Sequence, residues 1–192
     1  MILEGIVTTL DPHGAVNVAP MGPIVDERIT RLTLRPFQTS QTYRNLKSHP
    51  FGVFHVTDDV RLIAQAALNL LPETQKTFPA VKIAGQALSD CCRWYEFRVL
   101  SLDDSQERTQ IEAEVVHVGH GRDFLGFNRA KHAVLEATIL ATRLHLLPME
   151  QVRAELDRLG SPVEKTAGPA ELEAWRIVME YVDNWCESKS SV

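Results

Sequence analysis

Arg35, Thr39, Ser40, Gln41 and Thr42 fall within "LRPFQTSQTYRNL", where one guanidinium and three hydroxyls straddle the end of a strand-like run and the start of a helix-like one. The free N–H groups and the dipole of a helix start suit a phosphate, and hydroxyls with a guanidinium add charge-assisted bonds to its oxygens. The chemistry on offer is the holding of an anion. An ordinary capped helix beside an arginine uses the same residue types, and spacing alone does not separate the two.

A second group lies in "GFNRAKHAVLEATILATR". Asn128 suits a helix cap, and Ala130, Ala133, Val134, Ala137 and Leu140 make one apolar stripe behind it. Arg129, His132 and Glu136 fall on an adjoining face, so two cationic types stand at a helix start, where an anion is also favoured. A solvated face on a core helix is the plainer account of the same spacing.

The third stretch is "VNVAPMGPIV", which follows the turn "DPHG" and carries two prolines, a glycine and almost no charge. Proline lacks the N–H that a strand ladder uses. The expectation is a strand that stops bonding to its neighbour and presents its backbone, within Val16–Val25, to something else such as a ligand.

Other chemistries lack their patterns. His117 and His120 are three apart on a strand, which puts them on opposite faces unless the chain bends at Gly119. There is no H-E-x-x-H and no Cys/His cluster, so no metal site is expected. "GHG" at Gly119–Gly121 lacks the third glycine of a dinucleotide fingerprint, no Walker sequence occurs, and no G-x-S-x-G suggests a hydrolase.

The elements that must position these groups follow from periodicity. Residues 2–20 read as a hairpin, Arg28–Pro36 as a half-buried strand, and "FGVFHVTDD" as another. Two longer strands are expected near 94–102 and 109–119. A short helix opens at Thr39 or Ser40, and a second spans 60–71. From Asn128 onward the period is helical, over 128–145, 149–159 and 171–187, with a flexible join expected at Gly160–Pro169. Strands first and helices last argue for a barrel with a helical extension rather than a doubly wound α/β fold.

The chain has 192 residues, 44% of them hydrophobic, enough for a core that needs no staple. Twenty basic residues against twenty-five acidic ones give a net charge of -5, which carries no footprint for nucleic acid. Three cysteines do not suggest a disulfide framework, and "MILEGIVTTL" lacks the basic lead of a signal peptide. The few cysteines fit a reducing cytoplasm, and no stretch has membrane-spanning length, so a soluble, cytoplasmic protein is expected.

Together, "ILEGIVTTLDPHGAVNVAPMGPIV", "LRPFQTSQTYRNLKSHPFGVFHVTDD" and "GFNRAKHAVLEATILATRLHLL" resemble a family of uncharacterised proteins with the flavin-reductase-like, FMN-binding split-barrel fold. The resemblance covers most of residues 1–147. It implies a mainly β fold with α: a six-stranded split β-barrel over residues 1–127 and a C-terminal helical extension over 128–192, packed on the barrel or the dimer. It implies FMN as cofactor, with Asn17, Val18, Ala19, Pro20 and Met21 along the isoalloxazine and Arg35, Thr39, Ser40, Gln41 and Thr42 at the phosphate. It further implies a homodimer in which Asn128, Arg129 and His132 complete the pocket. Reductases of the class often carry Lys-Asp-Thr where this chain has Ser40, Gln41 and Thr42, so the cation must come from elsewhere, with Arg35 or Arg129 as candidates. The activity implied is a flavin-dependent oxidoreductase taking hydride from NADH or NADPH, for which His132 is the candidate proton source, since imidazole titrates near neutrality. The lack of a nicotinamide motif leaves open a non-catalytic flavin-binding or redox-sensing protein, and some relatives of the fold bind deazaflavin or haem instead.

Overall fold

The computed structural model describes residues 1–72 and 75–190, and among these the chain forms two units. Residues 1–57 and 75–124 make a β unit; residues 58–72 and 125–190 make a helical one.

The β unit is built on one antiparallel sheet. Its strands are β1 (Gly5–Leu10), β2 (Val16–Met21), β3 (Ile24–Val25), β4 (Arg31–Leu34), β5 (Phe51–Val56), β8 (Arg93–Asp103) and β9 (Gln110–His120), in the order β2-β1-β5-β8-β9-β4-β3. A separate pair, β6 (Thr77–Pro79) with β7 (Gln86–Leu88), lies outside it, and helix α1 (Gln41–Ser48) joins β4 to β5. The main sheet therefore has seven strands rather than six. The extra one is the two-residue β3, too short for any periodicity to reveal.

That strand explains the proline-rich run, and the expectation that this run leaves its ladder is corrected. All six residues of β2 pair with β1, from Leu10↔Val16 to Gly5↔Met21. Bonding then continues past Gly22: Leu3 N–H donates to the Pro23 carbonyl at 3.1 Å, and Val25 N–H to that of Met1 at 2.8 Å. Val25 in turn pairs with Leu32 of β4. Val16–Val25 is thus one bent strand that passes from β1 to β4 and curls the sheet into a barrel. The Asp11 N–H to Ala15 carbonyl bond sets the alternation, which makes Ile6↔Pro20 a non-bonded pair. Pro20 therefore aims its missing N–H at the open edge, where no ladder bond is lost.

Inside the barrel Val7, Leu32, Leu34, Phe54, Phe97 and Ile111 are fully buried. Register shifts in the β8–β9 pairing, at Glu96/Phe97 and Val99/Ser101, sharpen the curl. Buried His55 donates from Nδ1 to the Ile6 carbonyl at 3.2 Å and accepts the Leu88 N–H at Nε2, at 3.0 Å, which fixes it as the neutral Nδ1–H form. Burial lowers its pKa from 6.5 to about 4.

The helical unit contains α2 (Val60–Ala67), α3 (Arg129–Ala141), α4 (Met149–Thr166) and α5 (Pro169–Ser190). Helix α2 groups with these helices although it lies within the 1–127 stretch expected to form the barrel. Ala130, Ala133, Val134 and Ala137 on α3 are buried, as their spacing predicts. The expected join at Gly160–Pro169 is mostly helix instead. α4 runs through Pro162 because Val152, Leu156, Leu159 and Val163 keep one buried stripe across it, and the lost backbone bond costs less than exposing that stripe. A buried ion pair braces the unit: Lys131 Nζ lies 2.7 Å from Asp58 Oδ2. No described helix is long and apolar enough to cross a membrane.

Candidate functional site

The start of α1 faces β2 across a cleft of about 270 Å³ in the β unit. Ala19, Pro20 and Met21 line it from β2, Arg35 from the end of β4, and Ser40 and Thr42 from α1. Arg108, from the segment between β8 and β9, completes it.

Local sequence builds most of this. Ser40 caps α1: its Oγ accepts the Tyr43 N–H at 3.2 Å and donates to the Phe37 carbonyl at 2.7 Å. Its hydroxyl is thereby committed. Thr42, buried in the first turn of the helix, accepts from Asn17 Nδ2 at 3.2 Å, and its own proton has no acceptor among the described residues. Asn17 Nδ2 also reaches Thr9 Oγ1 at 3.3 Å, to which Asn45 Nδ2 donates at 2.9 Å, so β1, β2 and α1 are cross-tied beneath the cleft. Gln41 is turned along the helix, donating to Asn45 and accepting from Arg44. Thr39 is exposed and does not line the cleft.

The electrostatics are one-sided. Arg35 Nε is buried with no hydrogen-bond partner among the described residues, and the lining contains no carboxylate. A buried, unpaired guanidinium N–H is costly unless something accepts from it. Arg108 stands 5.6 Å over the Phe37 ring and donates from Nε to the Arg35 carbonyl at 3.3 Å. Two guanidiniums and a hydroxyl proton thus converge on one cleft, an arrangement suited to a phosphate.

Arg108 was not legible in the sequence, because it lies 73 residues from Arg35 in a charged turn with no motif. The turn is strapped into place by Gln38 Nε2, which donates to the carbonyls of Asp104 and Gln106, and by Asp104, which accepts from Tyr43 Oη at 2.7 Å and Lys47 Nζ at 2.6 Å. Those bonds hold the Lys47 pKa above its ordinary value.

Asn128, Arg129 and His132 belong to the helical unit and are not part of the cleft lining. Asn128 Oδ1 caps α3 by accepting from Ala130 and Lys131, and its Nδ2 donates to the Thr166 carbonyl at 2.9 Å. Arg129 and His132 are exposed on the same helix. Burial pushes the Cys91 thiol up to about 11. The described residues contain no group of His, Cys, Asp and Glu able to hold a metal ion.

The curled sheet is that of the flavin-reductase-like split barrels, as three solved structures show. A 2-nitrobenzoate 2-nitroreductase from Pseudomonas fluorescens aligns with TM-score 0.52 and 16% identity, covering 61% of this chain and 64% of its own. An NADH:FAD oxidoreductase from Streptomyces globisporus aligns with TM-score 0.53 and 10% identity, covering 65% and 87%. An FMN-bound protein from Methanosarcina mazei, of the family DUF447, aligns with TM-score 0.79 and 24% identity over 94% of each chain. The present chain belongs to that same family of proteins of unknown function: residues 3–122 match the DUF447 N-terminal domain and residues 128–180 its C-terminal part. A comparison with curated proteins finds no match.

Proposed function

We propose that the protein binds FMN in this cleft and acts as a flavin-dependent oxidoreductase of the flavin-reductase type. The observation that carries the reading is the buried Arg35 Nε, left without an acceptor beside Arg108 and the Thr42 hydroxyl. The FMN-bound relative from Methanosarcina mazei and the reductases that share the barrel support it.

When bound, FMN supplies hydride and single-electron transfer. Arg35, Arg108 and Thr42 receive the phosphate. Ser40 orients the helix start, and Asn17 fixes β2 against it. Ladder alternation leaves the backbone groups of Val16 and Val18 on the open edge of β2, available to the polar rim of the isoalloxazine, with Ala19, Pro20 and Met21 beside it. NADH or NADPH is the electron donor and the active form is a homodimer. Arg129 and His132, exposed on α3, are further candidates for ligand contact.

Absorbance of the purified chain, before and after adding FMN and desalting, tests binding. Retained flavin bands are expected. Stopped-flow mixing of the loaded protein with NADH or NADPH tests catalysis, and bleaching no faster than that of free FMN excludes the reductase role. A second reading, a flavin-binding protein without turnover, is favoured by one feature: the ionisable side chains of the lining are arginines only, with no acid or base that titrates near neutrality.

A further inference from the structure

A second cavity, of about 400 Å³, opens at another part of the β unit and shares no residue with the first. Its position follows from strand register. Phe54 pairs with Tyr95, and Val56 with Arg93, which in turn pairs with His120. Side chains alternate along a strand, so Val56, Arg93 and His120 stand on the face that carries Phe54 and Tyr95 into the barrel core. β9 pairs with β4 over Ile111–Glu114, one further bond runs from the Val115 N–H to the Thr30 carbonyl at 3.0 Å, and β4 does not pair with the rest of β9. The cavity is the barrel mouth at this end. Leu3, Ile29, Val56 and Tyr95 form its apolar floor.

Four features are out of keeping with a simple barrel end. Arg93 and His120 occupy inward register, where alternation calls for apolar residues, and such violations concentrate at functional sites. Arg93 makes no ion pair or hydrogen bond with any described residue, whereas the neighbouring Arg122 is bound to Asp90 at 2.7 Å. Tyr95 is buried, yet its phenol makes no hydrogen bond to a described residue, and it lines the cavity. Ile29, a β-branched residue, is held at φ 53°, a left-handed conformation that such side chains strongly disfavour. Asp26 enforces it by accepting from the N–H groups of Thr30 at 2.7 Å and Arg31 at 3.0 Å. Strain is thus spent on presenting an apolar side chain to this space.

We propose that the barrel mouth is a second ligand site, which takes a small amphipathic anion: an apolar, ring-sized body over Leu3, Ile29 and Val56, an anionic group on Arg93 beside His120, and a polar atom on the Tyr95 phenol. The lining's one carboxylate, Asp123, leaves Arg93 and Arg122 in excess, and Arg122 is engaged by Asp90. The site does not depend on flavin binding.

Anilinonaphthalene sulfonate, an aromatic anion whose fluorescence rises in apolar surroundings, is the probe, titrated into the full chain with and without saturating FMN. One equivalent is expected to bind, undisplaced by FMN. Arg93→Glu weakens it by about tenfold or more, while Arg93→Lys stays within about threefold of the parent. Phenylnaphthylamine, the same rings without the sulfonate, binds at least about tenfold more weakly than the anion. The proposal fails if the sulfonate does not saturate at one equivalent, if FMN displaces it, if Arg93→Glu leaves its affinity unchanged, or if Arg93→Lys loses as much as Arg93→Glu. Equal binding of the neutral probe overturns the anion assignment. Circular dichroism of each variant confirms that the fold is retained.

Discussion

Asn17 Nδ2 lies 3.2 Å from Thr42 Oγ1, so a side chain of β2 and one from the first turn of α1 share a hydrogen bond beneath the candidate cofactor cleft. The bond aims the Thr42 oxygen at the strand and leaves its proton for a ligand. Asn17→Ala removes it together with the contact to Thr9. The expected result is a loss of about 1–2 kcal/mol of stability and a several-fold weaker FMN affinity. Urea unfolding and equilibrium dialysis measure the two effects.

Arg35 and Arg108 act on the phosphate alone under the proposed binding mode. Arg35→Met and Arg108→Met should each weaken FMN binding by roughly 10-fold to 100-fold, the range of a lost charge-assisted bond. Riboflavin, which has the same ring system and no phosphate, should bind parent and variants alike. A parallel loss with riboflavin contradicts the assignment of this cleft to the phosphate.

His55 makes stability depend on pH. Burial lowers its pKa from 6.5 to about 4 in the folded chain, so between those values the unfolded chain binds more protons. Its contribution is complete above the unfolded value and declines as pH falls toward the folded one, by at most about 3 kcal/mol. Protonation also ends the acceptance of the Leu88 N–H at Nε2. Urea midpoints compared between about pH 7 and pH 4 should fall more steeply for the parent than for His55→Gln, since the carboxylates common to both cancel in the difference.

Lys131 and Asp58 are a buried pair, with side-chain exposures of 18% and 2%. Lys131→Met takes away the ammonium that neutralises the buried carboxylate, and a loss of roughly 3 kcal/mol from the helical unit is expected. Adding Asp58→Asn should restore part of that loss by removing the buried charge that Lys131 neutralised. Thermal unfolding followed by helical circular dichroism reads both. Additive losses in the double variant contradict this account of the pair.

Features set by neighbours in the chain were readable from residue types. Ser40 caps α1 and Asn128 caps α3 because each cap is closed by amides two or three residues away. The alanine-rich stripe of α3 follows from spacing along a single helix. Pro162 shows the limit of local reading. A proline next to a glycine and a serine signals a break, but burial of Val163 and Leu159 against the other helices outweighs it.

By itself the sequence determined the strand-then-helix order, the helix caps and the anion-suited start of α1, because each rests on contacts within a few residues. Only the tertiary structure decided that Val16–Val25 is a bent strand shared by β1 and β4, that Arg108 joins Arg35 in one cleft, and that Arg93 faces the mouth of the barrel. Those placements depend on strand register and barrel closure between segments far apart in the chain, such as Arg31 with Glu114, and sheet pairing of that kind leaves no local pattern in the chain.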